Sequence, residues 1–144
     1  MKNLIIILLS IISVQLYAPP SPEQITKEQS YQFTILTNPN FRIYYPLIKA
    51  IVYVESRGND SAYNEKEGAV GQFQIRKIRL DHYNQLTGKN YQHEEMYDYR
   101  KALEVFLYYC EGKNFETAAR NWNGKWSLTE GYWNKVEKRL ISQL

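Results

Sequence analysis

The stretch from Leu47 to Glu55, Leu-Ile-Lys-Ala-Ile-Val-Tyr-Val-Glu, constrains the fold more than any other part of the chain. At helical period Ile48, Val52 and Glu55 share one face, so an apolar stripe ends on a carboxyl group. Ser56-Arg57-Gly58-Asn59 follows, and Gly58 reads as a C-cap that leaves Glu55 in the last turn. Apolar surroundings and the negative end of the helix dipole both disfavour a charged carboxylate there. A carboxyl kept protonated near neutral pH can serve as a general acid. The plainer reading is a boundary glutamate that reaches water, and this segment alone favours it.

The rest of the chain also reads as helical. Its 144 residues make one domain, large enough for a core without disulfide staples. Ser21-Pro22-Glu23-Gln24 looks like a helix start, running to about Leu36, with Thr37-Asn38-Pro39-Asn40 as the break. The Glu55 helix is expected from near Pro46. Residues 57 to 74 lack a clean period and read as an ordered loop or short hairpin. Ile75, Ile78, His82 and Leu86 form a helical stripe that stops at Thr87-Gly88-Lys89-Asn90. Asp98 caps a helix ending at Gly112, with Tyr99, Leu103, Phe106 and Cys110 on one face. Asn114 caps another through Trp122, and Thr129 a last one through about Leu140.

Within that frame, Gly68-Ala69-Val70-Gly71-Gln72-Phe73-Gln74 follows Glu55, and Asn121-Trp122-Asn123-Gly124 comes fifty residues later. Glycines permit positive φ and close backbone approach, and a glutamine offers both donor and acceptor. The alternative is a turn that only redirects the chain. Glu-Ser ending a helix, then Gly-Ala-x-Gly-x-x-Gln, then aromatic-Asn-Gly, resembles the soluble lytic transglycosylase family over roughly residues 46 to 140. The resemblance implies a mainly α, goose-type lysozyme-like domain with a short irregular or hairpin segment after the catalytic helix. It implies cleavage of peptidoglycan with Glu55 as the catalytic acid. Ser56, Gly68, Gly71, Gln74, Trp122 and Asn123 would contact the sugar, with no cofactor and no metal. Gln72 stands where the family often has an apolar residue. Trp122 stands at the family tyrosine, whose hydroxyl contacts the acid; indole has no acceptor, so Trp122 is open between cleft residue and core aromatic.

Other chemistries find little support. His82 and His93 lack metal-ligand spacing, and lone Cys110 reads as core. Asp60, Glu65 and Glu67 follow Glu55, so a second carboxylate for hydrolysis is conceivable. Trp126, Tyr132 and Trp133 either stack on sugars or pack the final helix, with packing the expectation, and Arg76 to Arg79 are expected to form a solvated helix face. A net charge of +3 is far from a nucleic-acid signature.

Lys2 followed by the apolar run Leu4 to Leu16 reads as an export signal too short to span a bilayer, with cleavage after Ala18. Leu16 and Pro19 are poor flanks for that site, so an uncleaved anchor stays open as the one route to a membrane. The expected plan is a signal over 1–18, a linker and helix over 19–40, and a catalytic domain over 41–144. Such a protein would work in the periplasm or at the wall on peptidoglycan strands. With no accessory binding domain, it would act beside a larger secretion, conjugation or phage machine. The alternatives are a hydrolytic lysozyme on the same fold and a glycan-binding or assembly protein without turnover.

Overall fold

The computed structural model describes residues 38–124 and 128–144. The expected signal, linker and first helix, and Trp126, lie outside the described residues. Helix α1 spans Pro39–Ser56 and starts seven residues before the expected Pro46. The Asn38 side chain accepts the Asn40 N–H at 2.9 Å, and Pro39 occupies the first turn, where its missing N–H costs nothing. The segment read as a break is thus the helix start, and Pro46 is carried inside the helix. Tyr44, Leu47, Ile48, Ala50 and Ile51 form its buried face.

Arg57, not Gly58, is the left-handed C-cap (φ 58°), and its N–H donates to the Tyr53 carbonyl at 3.1 Å. Its guanidinium lies over the Tyr53 ring, 4.4 Å from the centroid.

A two-stranded antiparallel hairpin follows, β1 (Tyr63–Asn64) and β2 (Ala69–Val70), with Tyr63 opposite Val70 and Asn64 opposite Ala69. The chain then folds back so that Val70 also bridges Ile75. Gly71, at φ 73°, makes that turn possible. A Cβ there would collide with the Met96 carbonyl, so glycine is required by close packing as well as by conformation.

Helix α2 (Lys77–Thr87) buries Leu80 and Tyr83, whereas Ile78 and Leu86 are 75% and 54% exposed. The stripe expected from Ile75 took its phase from a residue in the preceding turn. Ile75 is fully buried, but the helix begins two residues later and turns a different face inward. A 3-10 turn (His93–Tyr97) places Met96 in the core. Helix α3 (Tyr99–Cys110) is capped by Asp98 and buries Leu103, Phe106 and Cys110 as expected. Helix α4 (Phe115–Asn123) is capped by Asn114, whose side chain accepts the Thr117 N–H at 2.8 Å. Helix α5 (Glu130–Ile141) buries Val136; Thr129 precedes it and is itself buried, without capping it through its side chain.

Helix α1 packs against α3, α4 and α5. The core centres on Phe73, which stacks on Phe106 at 5.1 Å, with Trp122 edge-on to Phe106 at 4.9 Å. The domain is mainly α with one small hairpin, matching the expected fold class. Among the described residues no helix is long and apolar enough to cross a membrane.

Candidate active site

Three parts of the fold meet around Glu55: the end of α1, the hairpin with the turn after it, and the facing ends of α2 and α4. They enclose a polar cavity of about 140 Å³. Glu55 lines it together with Asn64 and Glu67 of the hairpin segment, Gln74 of the turn, and Trp122 and Asn123 of α4. Arg76 and Arg79 complete the wall.

The Glu55 carboxyl is largely withdrawn from water. Burial raises its pKa from the ordinary 4.5 to about 7. The Tyr132 hydroxyl donates to its Oε1 at 2.6 Å and pulls the other way by favouring the anion. The negative charge of Glu67 pushes up, and Arg76 and Arg79 pull down. The upward direction and its cause, desolvation, are those expected from the apolar stripe that ends on Glu55. Near neutral pH both protonation states are populated, so the same group can give a proton and take one.

Tyr132, expected to pack the final helix or stack on sugar, instead holds the acid. It sits on α5, 77 residues from its partner, and no local pattern marks it. One signal did exist: indole at Trp122 supplies no hydroxyl where the resembling family has one, which left a different orienting contact to the acid open. Trp122 itself is 4% exposed and donates from Nε1 to the Phe73 carbonyl at 3.2 Å. It is a core aromatic whose edge reaches the cavity.

Arg79 also departs from the solvated role expected of it. Its guanidinium donates to the carbonyls of Asn121 (3.1 Å) and Trp122 (2.7 Å) and lies 4.5 Å from the centroid of the Trp122 ring. It fixes the end of α4 against α2, and burial lowers its pKa from the usual guanidinium value. Arg76 reaches the Asn123 carbonyl at 3.5 Å and Glu67 at 3.9 Å.

The structure divides the remaining candidates. Gln74 and Asn123 line the cavity with Glu55, whereas Ser56, Gly68 and Gly71 do not. Gln74 holds a left-handed conformation (φ 50°), and its amide nitrogen donates to the carbonyls of Gly71 (2.9 Å) and Ala62 (3.3 Å). The Ser56 hydroxyl lies 2.9 Å from the Gln72 carbonyl and 3.1 Å from that of Val52, tying the helix end to the turn. Gly68, at φ 59°, serves the hairpin bend, and Gly71 the contact with Met96. These three shape the wall from behind. Among the described residues no group of three His, Cys, Asp or Glu side chains converges as metal ligands.

The transglycosylase SLT domain model matches residues 35–123, more than half of the chain. The chain belongs to the transglycosylase SLT domain family. Members of this family are peptidoglycan lytic transglycosylases. No curated protein and no solved structure matches the chain. The matched region of the SLT domain carries Glu55, the hairpin, Gln74 and the end of α4, and stops before α5. Tyr132 therefore lies outside the matched residues.

Proposed function

We propose that this SLT-domain protein is a peptidoglycan lytic transglycosylase that cleaves the MurNAc–GlcNAc β-1,4 bond and leaves 1,6-anhydro-MurNAc ends. The observation that carries this reading is a buried carboxyl with a pKa of about 7, held by a tyrosine hydroxyl inside a polar cavity. Protonated Glu55 gives its proton to the glycosidic oxygen as the bond to C1 breaks. The substrate's own N-acetyl oxygen stabilises the cation at C1. Glu55, now a carboxylate, removes the proton from the C6 hydroxyl, and O6 bonds to C1. The proton count closes without water. Tyr132 orients Glu55 and favours its anionic form between the two steps. The carbonyl oxygen of Gln74 and the side chain of Asn123 are the polar groups placed to receive the sugar.

Glu67 favours a second reading. It lines the same cavity, and its charge is felt by Glu55. A second carboxylate could activate water and make the enzyme a hydrolase. Mass analysis of muropeptides released from purified sacculi separates the two readings. Anhydro ends are one water lighter than the reducing ends hydrolysis leaves, and a purely reducing-end product would overturn the lytic assignment. Absence of any release, with binding retained, would leave a glycan-binding protein.

Such a substrate places the protein outside the cytoplasm. Export through the segment ending at Ala18 to the periplasm or the wall follows from the reading, with any membrane attachment through that segment alone. Work beside a larger secretion, conjugation or phage machine is part of the same proposal.

A further inference from the structure

Two arginines line the cavity that holds Glu55, and they are held differently. Arg79 is anchored: its guanidinium donates to the carbonyls of Asn121 and Trp122 and lies over the rings of Trp122 and Tyr109. Arg76 is held loosely. Among the described residues its guanidinium reaches the Asn123 carbonyl at 3.5 Å and the Glu67 carboxylate at 3.9 Å, both long for contacts of their kind. Its side chain keeps 35% of its surface open. A guanidinium carries five N–H donors in a planar fork, so Arg76 has donors to spare for a ligand in the cavity. Arg76 is also the N-cap residue of α2, which has no side-chain cap, so the positive end of that helix lies at the same wall.

The charges around Glu55 narrow the choice of ligand. The ionisable groups of the lining are Glu55, Glu67, Arg76 and Arg79. With Glu55 protonated, the form that begins the proposed reaction, Glu67 offsets one arginine and the wall holds one positive charge in excess. One carboxylate on the sugar removes that excess, and against a guanidinium fork it forms two parallel charge-assisted hydrogen bonds. N-Acetylmuramic acid carries such a group on its C3 lactyl ether. The group is a free carboxylate where no peptide is attached and a neutral amide where a peptide branches from it. A sugar with C1 at Glu55 carries its C3 substituent within the width of one ring, so the walls of a cavity of about 140 Å³ lie within its reach.

We infer that Arg76 is a specificity-determining residue that receives the lactyl carboxylate of N-acetylmuramic acid, so that the protein favours glycan strands stripped of their peptides. The inference rests on the proposed wall substrate, and ligand binding reads it without turnover. The class of reaction that supplies such strands is amide hydrolysis. Water cleaves the bond between the lactyl carbonyl and the peptide nitrogen, leaving the lactyl carboxylate and a peptide amine. Glu67 competes for Arg76 and repels the incoming carboxylate, and so limits how tightly it is held.

The test is calorimetric titration of the full chain at about pH 5.5, where Glu55 is protonated and a lactyl carboxylate is ionised. Three ligands are compared: the GlcNAc–MurNAc disaccharide with its free lactyl carboxylate, the same disaccharide as the neutral lactyl N-methylamide, and the disaccharide bearing its acidic wall peptide. The free carboxylate should bind about ten-fold more tightly than either amide, and Arg76→Gln should remove that preference while barely affecting the amides. Glu67→Gln should tighten binding of the free carboxylate alone, a gain that a purely structural role for Arg76 does not produce. Glu67 is more than half exposed, so this variant keeps its fold whatever becomes of Arg76→Gln, and circular dichroism checks both. Equal binding of the three ligands, no binding of any, a preference that survives Arg76→Gln, or an affinity unmoved by Glu67→Gln overturns the inference. So does tightest binding of the peptide-bearing disaccharide, which would assign the charge to the peptide. Failure of the lytic reading would appear separately, as sacculi left uncleaved by a chain that still prefers the free carboxylate.

Discussion

Replacing Glu55 by Gln separates the cost of holding this carboxyl from the chemistry it performs. An unfolded glutamate titrates near 4.5 and the folded one at about 7. Between these values the native state keeps a proton that the unfolded chain has released. Stability therefore falls as pH rises through that window and levels off above it. At about 1.4 kcal/mol per decade, the gap between 4.5 and about 7 corresponds to about 3 kcal/mol. Gln is neutral at every pH, nearly the same shape, and can still accept the Tyr132 hydroxyl through its amide oxygen. Glu55→Gln should therefore be more stable than the parent by about 3 kcal/mol at pH 8, a rise in Tm of roughly 10 °C, and almost equal to it at pH 4. Urea unfolding followed by circular dichroism at pH 4, 6 and 8 reads this directly, because other titrating groups cancel in the difference. Release of muropeptides by the same variant should fall by about 10⁴-fold, the upper end for general acid–base catalysis, since one group serves both steps. Equal stability at pH 8, or a gain as large at pH 4, would refute the premise that the carboxyl is held out of water.

The other expectations are as specific. Tyr132→Phe removes a donor to the charged form, so the Glu55 pKa should rise further, and the alkaline limb of the lytic pH profile should move up with it; carboxyl carbon NMR reads the same change directly. Gly71→Ala should cost about 2–4 kcal/mol in thermal unfolding because of φ 73° and the Met96 carbonyl, with turnover per folded molecule close to the parent. Arg79→Gln should cost about 1–3 kcal/mol and shift the Trp122 fluorescence, since two carbonyl contacts and the cation over the indole are lost. Cell fractionation with N-terminal sequencing should find the protein outside the cytoplasm, and a full-length cytoplasmic product would count against the wall substrate.

Elements defined by neighbours in sequence were legible before the structure. Asp98 and Asn114 announce their helices because a cap is a contact across two or three residues. The end of α1 at Glu55 and the irregular stretch before α2 were equally local. The phase of α2 was not, because Ile75 is buried by a turn that belongs to no helix. The start of α1 was missed because Pro46 and Pro39 both suit a first turn, and only the Asn38 side chain distinguishes them. In the site, Glu55 and its desolvation were readable from the stripe before it, as were Gln74 and Asn123 from the motifs. Tyr132 and Arg79 were not, because each acquires its role from contacts across elements, and Glu67 was legible only as one of three carboxylates after Glu55.

The hydrogen bond between Tyr132 and Glu55 has a consequence for order in time. It closes a span of 77 residues and joins α1 to α5, the last helix described, so no partly folded intermediate lacking a docked α5 contains the pair. An intermediate organised only through α4 holds the carboxyl without its hydroxyl. Opening α5 while the rest stays native would expose the carboxyl to water and return its titration toward that of a free glutamate. The proton on Glu55 thus works as a gauge of whether the final helix is seated, readable by titration while the protein stands at equilibrium.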